Sequence, residues 1–266
     1  MRIGRLTWLV LSYVLLCSIV HADDDLPYMT TIPIERVPGD EAAFGEILFS
    51  TLHVNDPGRS ALFLSRIDGL EIVATGASTV SIEYAERPTI AGGDDDRFRQ
   101  STWVVDFEEP PVQELLQILH SSFGERPAAE ELRRFVFEHI DQKSYSRGFD
   151  LASRVAATGE GDCTEHAVLL AALARANGYA ARIALGSLLI DADTGLAAFG
   201  HAWAEIHDGQ DWQISDATMP DSDYSLDQLR YLPAGFLGDE GPGYNLALID
   251  VVAAMPVRIS AVGNAP

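Results

Sequence analysis

Lysine is almost absent from this chain. Of 18 basic residues only Lys143 is a lysine, and 40 acidic residues stand against them. The formal net charge is −22. So acidic a surface excludes nucleic acid as a partner, because phosphate binding needs a basic face. A single lysine also leaves almost no amine for linking the chain to itself. Cysteine is scarce too, with Cys17 and Cys163 alone. Two cysteines exclude a multi-cysteine zinc site. His53, His120, His139 and His207 fall in no metal-like spacing, and neither a metal nor a cofactor is expected. The Asp94-Asp95-Asp96 run lacks the spacing of an EF-hand loop and reads as a solvated turn. There is no internal repeat, and no stretch beyond the N-terminus is long and apolar enough to span a bilayer.

The N-terminus has a distinct character. Arg2 and Arg5 precede an apolar run of about fifteen residues, Leu6 to Val20, short for a span of roughly 20. Val20-His21-Ala22 then offers small residues at cleavage offsets. Residues 1–22 read as a secretory signal peptide, with an uncleaved anchor as the alternative. Leu16 is too large to precede a lipid-bearing cysteine at Cys17. The expectation is an exported protein, periplasmic or extracellular, with no membrane contact in its mature form. Cys17 leaves with the leader, so Cys163 has no partner for a disulfide in the monomer. Exported chains usually pair their cysteines. A lone one is either inert and buried or kept for reactivity.

After the leader, residues 23–110 read as a β-rich region. FGEILFSTLHV, ALFLSRI, LEIVAT, STVSIEYA and STWVVDF are short apolar runs between Gly, Asn and Asp punctuation, which suggests strands. The pattern turns helical from Pro111, and EEPPV marks the boundary to residues 111–266. PVQELLQILHSSF, AAEELRRFVFEHI, RGFDLASRVAAT and AVLLAALARANG carry helical offsets. ARIALGSLLI, AFGHAWAEIH and DWQISDAT then read as strands, the last two joined at a tight DGQ turn. LALIDVV and PVRISAV read as further strands.

Cys163 opens a predicted helix. Backbone N–H groups there carry partial positive charge and favour a thiolate. On the strand AFGHAWAEI, alternation puts His201, Trp203 and Glu205 on one face and Ala202, Ala204 and Ile206 on the other. Asp216 ends the next strand, and hairpin pairing can bring it near His201. A carboxylate there can orient an imidazole, and the imidazole can activate a thiol. Taken singly, a buried packing cysteine, a core histidine and a turn aspartate are the plainer readings. Asp162 reads as the helix cap. Glu165 and His166 read as packing or hydrogen-bonding residues of the first turn.

Gly161-Asp162-Cys163, the helix end Asn177-Gly178, His201-Ala202-Trp203-Ala204-Glu205 and Trp212 to Thr218 together resemble the transglutaminase-like superfamily. The resemblance covers roughly residues 127 to 220, with Ala217 where the family often has proline. It implies an α+β fold: a papain-like transglutaminase core of helices packed on an antiparallel sheet, preceded by a small β-rich N-terminal domain. It implies a Cys163-His201-Asp216 triad that forms a thioester from a protein or peptide substrate. Hydrolysis is favoured over amine transfer, and a non-catalytic binding or scaffold protein is the alternative. The Cys163 backbone N–H is the natural oxyanion donor. Tyr145 is the candidate second donor, and Trp203 the candidate wall of the site.

Overall fold

The computed structural model describes residues 30–40, 43–90, 96–143, 148–219 and 224–265. The leader of residues 1–22, Asp94, Asp95 and Tyr145 lie outside the described residues. The first elements are β1 (Thr30–Thr31), β2 (Ile34–Arg36), β3 (Ile47–His53), α1 (Pro57–Leu64), β4 (Asp68–Thr75) and β5 (Thr79–Thr89), then a 3-10 turn at Asp96–Arg99. Next come α2 (Pro110–Phe123), α3 (Ala129–His139), β6 (Gln142–Lys143), α4 (Ala152–Thr158), β7 (Glu160–Gly161) and α5 (Cys163–Ala176). The rest is β8 (Ala181–Ala192), β9 (Gly195–His207), β10 (Trp212–Ser215), β11 (Leu229–Leu237), α6 (Tyr244–Ala254) and β12 (Arg258–Asn264). The fold class is α+β.

Two sheets organise the chain. One is antiparallel, in the order β1-β9-β8-β11, with β10 also on β9. The other runs β2-β12-β3-β5-β4. The chain crosses between them at both ends. β1 pairs with β9, and β12 from the C-terminus inserts between β2 and β3.

Helix α5 is the centre of the core. Leu169, Leu170 and Leu173 are fully buried among residues of α2, α3 and α4 and the Ala181, Ile183, Ala202, Ala204 face of the sheet. Ala202, Ala204 and Ile206 therefore face the helix layer, as the alternation requires. Truncating one of these leucines to alanine costs about 2–5 kcal/mol. Among the described residues no helix is long and apolar enough to cross a membrane.

Three segments differ from the sequence reading. ALFLSRI falls mostly in α1, because Asp56 caps the backbone N–H of Arg59 at 3.0 Å and Pro57 stands in the first turn. Ser60 and Leu64 are its buried residues, a helical spacing. STWVVDF forms no strand. Val104 and Val105 are buried in the helical core, and the Val104 carbonyl accepts from the N–H of Ala152 at 2.9 Å. LALIDVV lies in α6, since a short β-branched run reads the same in helix and strand until its packing is known. The sequence reading passed over β11. Its Pro233 argues against a strand, yet proline is tolerated at a sheet edge, and the register shifts between Pro233 and Gly235.

Candidate active site

The Gly-Asp-Cys stretch has a local physical cause. Asp162 caps α5, accepting from the N–H and hydroxyl of Thr164, both at 2.8 Å. Glu165 folds back and accepts from the N–H of Asp162 at 3.0 Å, closing a capping box. Gly161 makes room for that return. A methyl group at Gly161 would meet Glu165 Cβ at 2.3 Å. Glu165 also accepts from the N–H of Asp150 at 3.0 Å, tying the preceding loop to the helix. Burial, with the nearby Asp162 charge, raises its carboxyl to about 7 against the pull of these N–H donors. His166 is buried, with Nδ1 2.6 Å from the Asp162 carbonyl. Both side chains thus serve the helix end. Cys163 is the first residue of α5 and is 5% exposed.

His201 stands at a break in the sheet. β1 covers the outer edge of β9 up to Gly200, and β10 takes over at Ala204. The hairpin loop is Asp208–Asp211, longer than the expected DGQ turn, and puts Ser215 opposite Ala204. Asp216 therefore reaches His201 diagonally. His201 Nε2 lies 2.7 Å from Asp216 Oδ2. With Nε2 so engaged, Nδ1 is the nitrogen left for the thiol, and Cys163 interacts with this ring.

The electrostatics follow from burial and pairing. Burial disfavours the imidazolium, but the Asp216 charge and hydrogen bond, then Cys163, outweigh it and raise His201 to about 10. Burial likewise disfavours the Asp216 carboxylate, but His201 outweighs it and the group is lowered to about 2. Thr218 assists from the other side. Its hydroxyl and N–H donate to Asp216 Oδ1 at 2.6 and 2.9 Å. That is the physical content of Asp216-Ala217-Thr218, and Ala217 takes no part in it.

Two further residues complete the cluster. The Tyr231 hydroxyl donates to Asp216 Oδ2 at 2.9 Å. Burial, then the Asp216 charge, raise its phenol well above the ordinary value, so it stays a donor. No sequence signal marks Tyr231, because its strand, β11, is itself hidden by Pro233. Trp203 is 1% exposed and stacks on His201, with ring centroids 6.1 Å apart. It backs the imidazole. Its Nε1 donates to Glu205 Oε1 at 3.4 Å, and Glu205 is ion-paired to Arg182 at 2.6 Å.

Residues 117–217 match the sequence model of the transglutaminase-like superfamily. The similarity to that superfamily is carried by these residues. The matched span holds Cys163, His201 and Asp216, while Tyr231 follows it. A comparison with curated proteins gives no match. Among solved structures, the chain is similar to a protein of Cytophaga hutchinsonii described as a candidate cysteine protease. That likeness has 14% identity and a TM-score of 0.44 over 77% of this chain and 78% of the other. The periplasmic domain of TgpA from Pseudomonas aeruginosa gives 14% identity and 0.44 over 77% and 85%. A structure named as a TGase gives 13% and 0.33 over 65% and 50%. Likeness at this level does not extend to function.

A cavity of about 560 Å³ opens against Asp216, Tyr231, Met219 and Arg133. Cys163 and His201 are not among its lining residues. Among the described residues no group of three or more His, Cys, Asp or Glu could hold a metal ion.

Proposed function

We propose that this chain is a cysteine-dependent acyl-transfer enzyme acting on carboxamide or amide bonds of proteins or peptides. Cys163 is the nucleophile, His201 the acid–base group and Asp216 its orienting partner. The reading is supported above all by the buried 2.7 Å contact of His201 Nε2 with Asp216, on the ring that Cys163 also engages. His201 Nδ1 holds the thiol's proton while Sγ attacks the carbonyl carbon. The oxyanion is held by the Cys163 N–H at the start of α5, with Tyr145 assigned as second donor. His201 protonates the departing nitrogen, the C–N bond breaks, and a thioester remains. Water then attacks, His201 accepts its proton, and the acid leaves with the thiol restored. Hydrolysis is preferred to attack by an amine. Residues 111–266 are assigned as the catalytic domain and residues 23–110 as the accessory β-rich region. Residues 1–22 are assigned as the export signal of a periplasmic or extracellular protein.

The test is mass spectrometry of a peptide mixture incubated with the protein, with and without an added primary amine. Cleaved or deamidated products that vanish in Cys163→Ala support hydrolysis. A gain of the amine mass shows transfer instead. Equal products from the variant sink the nucleophile assignment, and an inert native protein favours the binding role.

A further inference from the structure

Four arginines converge on one cavity in a chain of net charge −22. The cavity holds about 330 Å³ and lies between α1, the Asp96–Arg99 turn, β11 and α6. Arg59, Arg66, Arg97 and Arg182 line it, against two carboxylates, Asp239 and Asp250. Asp250 pairs with Arg59 at 2.7 Å, and Asp239 with Arg97 at 3.0 Å. The Arg182 guanidinium is held from behind by Glu205 at 2.6 Å. The exposed Arg66 guanidinium makes no hydrogen bond or ion pair with any described residue. With Glu205 behind Arg182 counted, four arginines face three carboxylates, and one positive charge is left unbalanced.

The walls are aromatic. Arg182 lies 3.9 Å from the ring centroid of Phe236, and Arg97 4.5 Å from that of Phe98. Phe63 and Phe236 line the cavity with ring centroids 6.0 Å apart. The Arg182 N–H groups are engaged by Glu205, Thr89 and Ile90, so the N–H edge left for a planar acceptor is that of Arg66. Burial lowers the proton affinity of Arg182 against the pull of Glu205, and Arg97 adds to the lowering. Two cations thus feel each other at this cavity wall.

We propose that this cavity binds a small monocarboxylate bearing an aromatic or apolar group, at a site separate from the Cys163-His201-Asp216 cluster. A monoanion matches the single unbalanced charge. A carboxylate matches the fork of a guanidinium edge in both planarity and spacing. The phenylalanine walls take the apolar part. The volume suits a ligand about the size of one blocked aromatic amino acid, at the small end of ligand pockets. Arg182 pairs in register with Glu205, four residues along β9 from His201, so the two sites are about 13 Å apart. The ligand is therefore bound and not transformed.

The experiment titrates the full chain with N-acetylphenylalanine and reads binding by calorimetry. N-acetylphenylalaninamide tests the charge, and inorganic phosphate tests the apolar group. Saturable one-to-one binding of the acid is expected, with at least tenfold weaker binding of the amide and no displacement by phosphate. Arg66→Gln weakens the acid at least tenfold. Arg97→Gln, at a side chain 58% exposed, does the same and serves if the first variant misfolds. Cys163 alkylation is read in parallel and stays at the native rate in both variants. This separates the cavity from the proposed triad. Equal binding of acid and amide, competition by phosphate, undiminished binding in both variants, or no binding of the acid overturns the proposal.

Discussion

The Tyr231 hydroxyl donates to Asp216 Oδ2 at 2.9 Å, on the same oxygen that His201 Nε2 meets at 2.7 Å. The carboxylate oxygen is thus held by both a phenol and an imidazole. With Thr218 filling Oδ1, each oxygen of Asp216 is engaged.

Tyr231→Phe removes one donor from a buried carboxylate. We expect a loss of about 1.5–3 kcal/mol of stability, the range for hydrogen bonds to charged groups. Urea denaturation at neutral pH measures it. A loss below 0.5 kcal/mol, on the scale of ~1 kcal/mol for a neutral bond, contradicts the clamp.

The pair of His201 and Asp216 gives stability a window in pH. A histidine raised to about 10 contributes stability fully below its ordinary value, and loses it as pH climbs through about 10. An aspartate lowered to about 2 contributes above its ordinary value, and loses it as pH falls through about 2. Asp216→Asn should remove both arms and cost on the order of 3 kcal/mol near neutrality. Thermal melts across pH compare the two proteins. Parallel curves count against the pairing.

Alkylation reports on Cys163 without needing a substrate. Iodoacetamide should modify Cys163 in the native protein near neutral pH. His201→Gln should slow this at least tenfold, since it removes the ring that engages the sulfur. Intact-mass kinetics give the rates. Equal rates would show that the imidazole does not assist the thiol.

The capping box makes two claims on Glu165. Gly161→Ala places a methyl group against its Cβ, and overpacking of this kind costs about 1–3 kcal/mol. Between its ordinary value and about 7, the folded chain keeps a proton on Glu165 that the unfolded chain has lost. Stability therefore falls as pH rises through that interval. Glu165→Gln keeps an acceptor for the cap and should abolish the decline. Denaturation curves at several pH values decide both points.

The sequence by itself determined the parts whose causes are local. The order of α2 to α5 and of β8 to β10 follows from periodicity, caps and breakers. So does the place of Cys163 at a helix mouth, set by Asp162 and Glu165 a few residues away. Alternation along β9 assigned His201 and Trp203 to one face and the alanines to the other. What only the tertiary structure decided depends on residues far apart in the chain. α1 and α6 read as strands because short apolar runs are ambiguous until something packs on them. β12 joins β2 and β3 across nearly the whole chain, a pairing that no local pattern encodes. Tyr231 meets Asp216 only because β11 docks on β8 despite Pro233. Gly186 permits that approach, since a Cβ there would meet the Leu232 carbonyl at 2.1 Å. The arginines of the second cavity come from α1, the turn that follows it, the Asp96–Arg99 turn and β8. Side-chain chemistry is written in the sequence, but the meeting of distant side chains is fixed by long-range packing.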